Sequence, residues 1–200
     1  MTRDQKRFEM GKAIMQFEGR FKDGKLQHYK LPAADGGGAG EVAGINQRYH
    51  PQQYAKLKGL IEGGAHEEAE HEAARYIEEY TRHVLKFFPS PELAERNAGV
   101  EFILRDSCFN RGLKGAATIL QITLGVPVDG IVGANTKAAF AEALEGDQEQ
   151  FMIRLKDARE IYERNQYPWK QSSRDESSKF WRGLSNRWAK SHEIGLSRFV

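Results

Sequence analysis

A single cysteine, Cys108, stands in the 200-residue chain. One thiol excludes an internal disulfide framework and a thiolate zinc cluster. It lies in the apolar run from Phe102 to Phe109, where a buried thiol acts as packing rather than as a nucleophile. Long apolar runs are also missing. None approaches the roughly 18 residues needed to span a bilayer, so no membrane span is expected. Charge of one sign is scarce as well: the net charge is only +2. That argues against the concentrated basic face of a nucleic-acid binder, while leaving room for weak attraction to an acidic polymer. Heptad repeats and low-complexity tracts are absent. The start, Met1-Thr2-Arg3-Asp4-Gln5-Lys6, is charged and no signal-peptide core follows it. Synthesis in the cytoplasm is therefore expected, with another device carrying the chain to any external substrate. What is present is 40% hydrophobic and 29% charged residues, a soluble composition able to bury one core or two small packed subdomains.

Helical periodicity runs through most of the chain. Met10, Ile14, Phe17 and Phe21 step by four, three and four, which predicts a helix from Arg7 to Phe21 with Gly19 as its stop. Asp23-Gly24 reads as a turn, and a short hairpin could form around Leu26 to Leu31. Tyr54, Leu57, Leu60 and Ile61 mark a second helix that ends at Gly63-Gly64. Ala65 to Phe88 is a long helix whose small residues Ala69, Ala73 and Ala74 suit close packing. His66 and His71 are five residues apart and fall on different faces, so their acidic neighbourhood reads as a solvated face, not a metal site. Ser90-Pro91-Glu92 is a strong start signal for a helix from Leu93 to about Phe109. Asn110-Arg111-Gly112 then turns the chain into Leu113 to Leu124. A compact loop from Gly125 to Gly133 leads to a short helix ending at Leu144, and Asp147 caps the next. Gln166 to Asp175 reads as a loop. Trp181 and Trp188, seven apart in the last helix, share a face suited to core packing. The whole predicts a mainly-α fold with a Gly-rich loop or small hairpin.

The chemistry-bearing stretch lies early. Glu18-Gly19-Arg20-Phe21 closes the first helix, and Asp35-Gly36-Gly37-Gly38-Ala39-Gly40-Glu41-Val42-Ala43-Gly44-Ile45-Asn46 follows after a polar strip. Glycosidases hold two carboxyl groups across a sugar bond, one protonated and one ionised. A Glu beside an apolar helix face is partly desolvated, which favours the protonated acid; a solvated surface Glu is the ordinary alternative. The glycines suit positive φ or close approach of backbone to a ligand. They do not form a phosphate loop, since no Gly-Lys-Ser/Thr ending is present. A flexible linker is the plain alternative.

These stretches resemble the peptidoglycan hydrolases of glycoside hydrolase family 108, within the lysozyme-like superfamily. Glu18-Gly19-Arg20-Phe21 is similar to that family's Glu-Gly-Gly-Tyr motif, with Arg20 and Phe21 in place of Gly and Tyr. Asp35-Gly36-Gly37-Gly38 through Gly44-Ile45 resembles its Asp-Pro-Gly-Gly…Gly-Ile segment. Asp106, Phe109-Asn110-Arg111-Gly112, Ala116-Ala117, Leu120-Gln121, Leu124-Gly125-Val126, Asp129-Gly130, Val132-Gly133 and Thr136 resemble its peptidoglycan domain. Ala158-Arg159-Glu160 to Tyr162 and Phe180-Trp181-Arg182-Gly183-Leu184-Ser185-Asn186-Arg187 resemble its closing helices. An insertion of about Lys22 to Ala34 and the lack of a Thr before Gly44-Ile45 mark a divergent branch.

The resemblance implies a lysozyme-like helical fold, with a catalytic part at 1–90 and a helical peptidoglycan part at 91–200 packed together as one compact unit. It implies an N-acetylmuramidase that cuts the β-1,4 bond of peptidoglycan glycan strands, with Glu18 as general acid. Glu41, or failing that Asp35, would orient or deprotonate water. Asn46, Tyr49 and His50 would line the groove, and Asp106 and Asn110 would contact sugar from the other side. No metal or other cofactor is needed. A monomer is expected, acting in the periplasm or cell wall after export by a secretion machine, a holin or a particle. A non-catalytic peptidoglycan-binding or scaffold protein of the same fold, a glycosidase acting on chitosan or chitin, and a protein-interaction module are the alternatives.

Overall fold

In the first helix, α1 (Arg3–Glu18), a capping box sets the start: Gln5 N donates to Thr2 Oγ1, and Thr2 N donates to Gln5 Oε1. Two orphan donors are thereby satisfied at once, and the helix begins four residues before the apolar stripe announces it. Met10, Ala13 and Ile14 are buried. The helix ends at Glu18, because Gly19 is extended. Phe21 is therefore not the last rung of the stripe; it lies in a strand and is 41% exposed. The computed structural model describes residues 1–31, 38–166 and 179–200. The Gln166–Asp175 loop lies outside them except for Gln166, which ends a helix. The chain divides into two compact units, Met1–Tyr80 and Thr81–Val200.

In the first unit two antiparallel ribbons follow α1. Strands β1 (Arg20–Lys22) and β2 (Lys25–Gln27) pair through Arg20↔Gln27, Phe21↔Leu26 and Lys22↔Lys25. Asp23 and Gly24 join them, both at positive φ (52° and 73°), the two-residue primed turn whose twist matches the strands. Strands β3 (Tyr29–Lys30), β4 (Gly40–Val42) and β5 (Ile45–Asn46) form a three-stranded antiparallel sheet in the order β3-β4-β5. Its second turn is Ala43-Gly44, at φ 48° and 77°. The end of the glycine-dense stretch is thus a hairpin rather than a loop, held down by buried Val42 and Ile45.

Helix α2 (Pro51–Glu62) opens with Pro51 in its first turn, buries Tyr54, Leu57 and Ile61, and stops at Gly63. Helix α3 (His66–Thr81) buries Ala69, Ala73, Ala74 and Ile77. A Cβ on Gly11 of α1 would come within 2.4 Å of the Ala74 carbonyl oxygen, so α1 and α3 touch almost backbone to backbone, as the small residues lead one to expect. Glu72 ties α3 to α2: it accepts from Gln53 (3.0 Å), pairs with Lys56 (2.7 Å) and bonds Arg75. Burial would raise its pKa, but Lys56, Gln53 and Arg75 outweigh that and hold it down at about 2.

The second unit is helical. A 3-10 turn (Arg82–Phe87) leads to α4 (Pro91–Arg96), whose Ser90 cap accepts from Leu93 N at 3.3 Å. Asn97 interrupts the helix expected from Leu93. Helix α5 (Ala98–Leu124) then continues past Gly112, where the chain kinks at φ 69°. Helices α6 (Ala134–Leu144), α7 (Gln148–Gln166) and α8 (Lys179–Phe199) complete the unit. Helix α5 is its axis and packs against α7 and α8. Residues Ala98 to Cys108 are buried without a break. The Cys108 thiol is 2% exposed, and burial pushes it up to about 11, so it is inert as expected. Trp181 and Trp188 are buried with rings edge-on at 5.7 Å. Among the described residues no helix is long and apolar enough to cross a membrane.

Candidate active site

The candidate site lies in the first unit, on a rung of the three-stranded sheet. Tyr29 on β3 sits opposite Glu41 on β4, and Glu41 sits opposite Asn46 on β5. Residues directly opposite in an antiparallel pair face the same side. Tyr29, Glu41 and Asn46 therefore form one row across the sheet. The Tyr29 hydroxyl donates a short hydrogen bond to Glu41 Oε1. The Arg20 guanidinium of β1 lies over the Tyr29 ring, 3.7 Å from its centroid, within cation–π range. Glu18, the last residue of α1, is half-buried, and its charge also acts on the Tyr29 phenol.

Electrostatics follow from this arrangement. Burial first, then the hydrogen bond and charge of Glu41, push the Tyr29 phenol well above its ordinary range; Arg20 opposes and Glu18 adds to the rise. Tyr29 therefore stays a phenol and donates.

The turn after β5 positions the rest. Asn46 Oδ1 accepts from Arg48 N at 2.8 Å, and the Asn46 carbonyl accepts from Tyr49 N and His50 N. Tyr49 projects outward, 74% exposed. Both backbone groups of Gly40 are bound by Gln47: its N donates to Gln47 Oε1 and its carbonyl accepts from Gln47 N. A Cβ on Gly40 would lie 2.0 Å from the Tyr54 hydroxyl oxygen. Gly40→Ala is expected to displace Tyr54 and to cost about 1–3 kcal/mol by overpacking. Thermal unfolding checks this against Gly59→Ala, at an exposed position of α2 where an added Cβ meets nothing within 4 Å. That change is expected to be neutral or to stabilise by about 1 kcal/mol.

Of the residues singled out from sequence, Glu41 and Asn46 share the row with Tyr29, and Glu18 acts on the Tyr29 phenol through its charge. Asp35 lies outside the described residues. Asp106 is not a sugar contact: it is 0% exposed and its carboxylate is taken by Arg159 (2.7 Å) and Arg187 (2.6 Å). Asn110 is half-buried and turns its amide back onto Asp106, donating to the backbone carbonyl at 2.9 Å and to Oδ1 at 3.4 Å. His66 Nδ1 contacts the Leu26 carbonyl and His71 stacks near Phe8. Among the described residues no cluster of three or more His, Cys, Asp or Glu is placed to hold a metal ion. Tyr29 is the participant that sequence reasoning passed over. Its signals were the Asp23-Gly24 turn and the short hairpin expected around Leu26 to Leu31, neither of which carries chemistry.

No family model matches the chain, and no curated protein sequence matches it. The chain is similar to a solved structure, that of Brucella abortus SagA, at 20% identity and a TM-score of 0.60, over 97% of this chain and 95% of that one. At this identity the likeness concerns the fold, which is mainly α.

Proposed function

We propose that the protein is a peptidoglycan hydrolase of the N-acetylmuramidase type, on a divergent branch near glycoside hydrolase family 108. The observation that carries this reading is Glu41 held on the sheet by the Tyr29 hydroxyl, with Glu18 at the end of α1 near enough for its charge to act on the same phenol. Glu18 gives its proton to the glycosidic oxygen as the bond breaks. Glu41, oriented by Tyr29, takes a proton from the attacking water or steadies positive charge at the sugar carbon. Arg20 holds the Tyr29 ring in place from above, so the Arg that departs from the family motif has a positioning role here. The substrate is the glycan strand of the wall, which places the action there, after export.

The test uses purified peptidoglycan sacculi. Wild-type protein is expected to release reducing ends and soluble muropeptides whose masses identify the cut bond. Sacculi that bind the protein but release no reducing ends would sink the enzymatic reading in favour of a wall-binding protein. Tyr29→Phe removes only the hydroxyl. It is expected to lower the rate about tenfold, the worth of one hydrogen bond to a charged group, with little change in KM. An unchanged rate would remove Tyr29 from the positioning of Glu41.

A further inference from the structure

Beside the carboxylate row lies a cluster of rings that the proposed chemistry does not use. Tyr76 and Tyr80 are four apart on α3 and so share a face. Their rings stack at 6.3 Å with 20° between planes. His50, at the start of α2, stands edge-on to both, at 5.6 Å from Tyr76 and 5.4 Å from Tyr80. A packing role would bury such a cluster, yet Tyr80 is 38% exposed and His50 and Tyr76 are only half-buried.

The cluster also has a defined polarity. Tyr76 Oη lies 2.8 Å from His50 Nδ1. Burial lowers the pKa of His50, and burial followed by the neighbouring Tyr80 raises that of Tyr76. A neutral phenol and a neutral imidazole therefore share this hydrogen bond, and the imidazole carries one N–H. The surface is thus aromatic, uncharged and furnished with N–H and O–H groups. It is tied to the candidate site through the backbone, since His50 N donates to the carbonyl of Asn46, the cross-strand neighbour of Glu41.

We infer that His50, Tyr76 and Tyr80 form a subsite that stacks one N-acetylated sugar ring of the glycan strand beside the Glu41–Asn46 row. A pyranose offers a face of C–H groups to an aromatic ring, and amphipathic rings suit a ligand that is apolar on its face and polar at its rim. The acetamido group supplies a carbonyl acceptor for the imidazole N–H and a methyl for the ring edges. A cationic or anionic ligand finds no counter-charge among these three rings. The inference rests on the wall-glycan reading and specifies where that glycan is held.

The experiment titrates full-length Glu18→Gln protein, which leaves the ligand whole, with the β-1,4-linked tetramer of N-acetylglucosamine and with cellotetraose. The His50 imidazole proton resonances are followed by NMR. The acetylated tetramer is expected to shift the His50 signals. Adding Tyr80→Leu is expected to weaken its binding about tenfold, which corresponds to one lost stacking contact. Cellotetraose is expected to bind more weakly by a similar factor. A tetramer that binds without moving His50, or with the same affinity after Tyr80→Leu in a protein of unchanged melting temperature, overturns the subsite. Equal binding of cellotetraose overturns its preference for N-acetyl sugars. If wild type releases muropeptides while His50 stays silent, the subsite alone fails. If wild type neither binds nor cuts any glycan, the functional reading fails with it.

Discussion

Glu18→Gln is expected to abolish the release of reducing ends from sacculi, a loss of about a thousandfold or more, while the protein stays folded. General acid catalysis by a positioned carboxyl is worth roughly 10²–10⁴ in rate, and a thousandfold loss corresponds to about 4 kcal/mol of barrier. Glutamine matches glutamate in size and cannot give up a proton to a leaving oxygen. The substitution is mild for the fold because Glu18 is the last residue of α1 and only half-buried. The amide adds no charge to the carbonyl end of the helix, so the change is neutral or slightly favourable for α1. Binding is expected to survive, since stacking and backbone contacts do not depend on this carboxyl. The measurement is reducing-end release together with co-pelleting on sacculi and a melting curve. A folded variant with full activity would remove Glu18 from the acid role. Glu41→Gln belongs in the same assay. It leaves the Tyr29 hydroxyl with an amide oxygen in place of the carboxylate it now meets, and is expected to lose activity without losing the fold.

How far the sequence disclosed this site depends on the range of the interactions involved. Local signals were dependable. Ser90-Pro91 starts α4, Gly63 stops α2, and Asp147 accepts from Gln150 N at the start of α7. Each acts over three or four residues, within reach of a pattern. The two hairpins show where that reach ends. Asp23-Gly24 carries the usual primed-turn signature and could be read. Ala43-Gly44 forms the same turn with an alanine at φ 48°, a conformation that alanine gives no reason to expect, so the stretch passed for a loop. The key pairing, Tyr29 with Glu41, joins β3 to β4 across 12 residues. Nothing local in a Pro-Ala-Ala-Asp-Gly-Gly-Gly sequence specifies that register. Glu41 could be nominated from its place in the stretch, but its partner could not. The opposite error occurred at Asp106. The resemblance implied a sugar contact there, whereas the tertiary fold of the second unit buries the side chain completely. The arginines that make this tolerable lie 53 and 81 positions further along the chain.

Asp106→Ala is the substitution expected to damage the second unit most. Asp106 on α5 receives Arg159 from α7 at 2.7 Å and Arg187 from α8 at 2.6 Å, so one carboxylate joins α5 to the two helices packed most closely on it. Arg159 is itself buried, 3% exposed. Removing the carboxylate leaves two guanidinium groups close together in the interior, with Arg111 adding to the repulsion on Arg159. Breaking a buried pair in this way costs about 3–5 kcal/mol. For a small unit that corresponds to a drop of more than about 10 °C in melting temperature. The pair itself is not the source of that number; the uncompensated arginines are. Replacing all three together, Asp106→Leu with Arg159→Met and Arg187→Met, is therefore expected to recover most of the loss. The same group sets an acid limit. Burial pushes the Asp106 carboxyl up, but Arg187 and Arg159 more than offset this and hold it at about 2, below the ordinary 3.8. A carboxyl depressed in the folded state contributes stability that is full above its unfolded pKa and is lost as pH falls through the folded one. The contribution, on the order of 2 kcal/mol, should therefore disappear between about pH 4 and pH 2. Urea unfolding of wild type across that window should show a slope that Asp106→Ala lacks. Equal slopes for the two proteins would show that Asp106 does not carry the acid sensitivity.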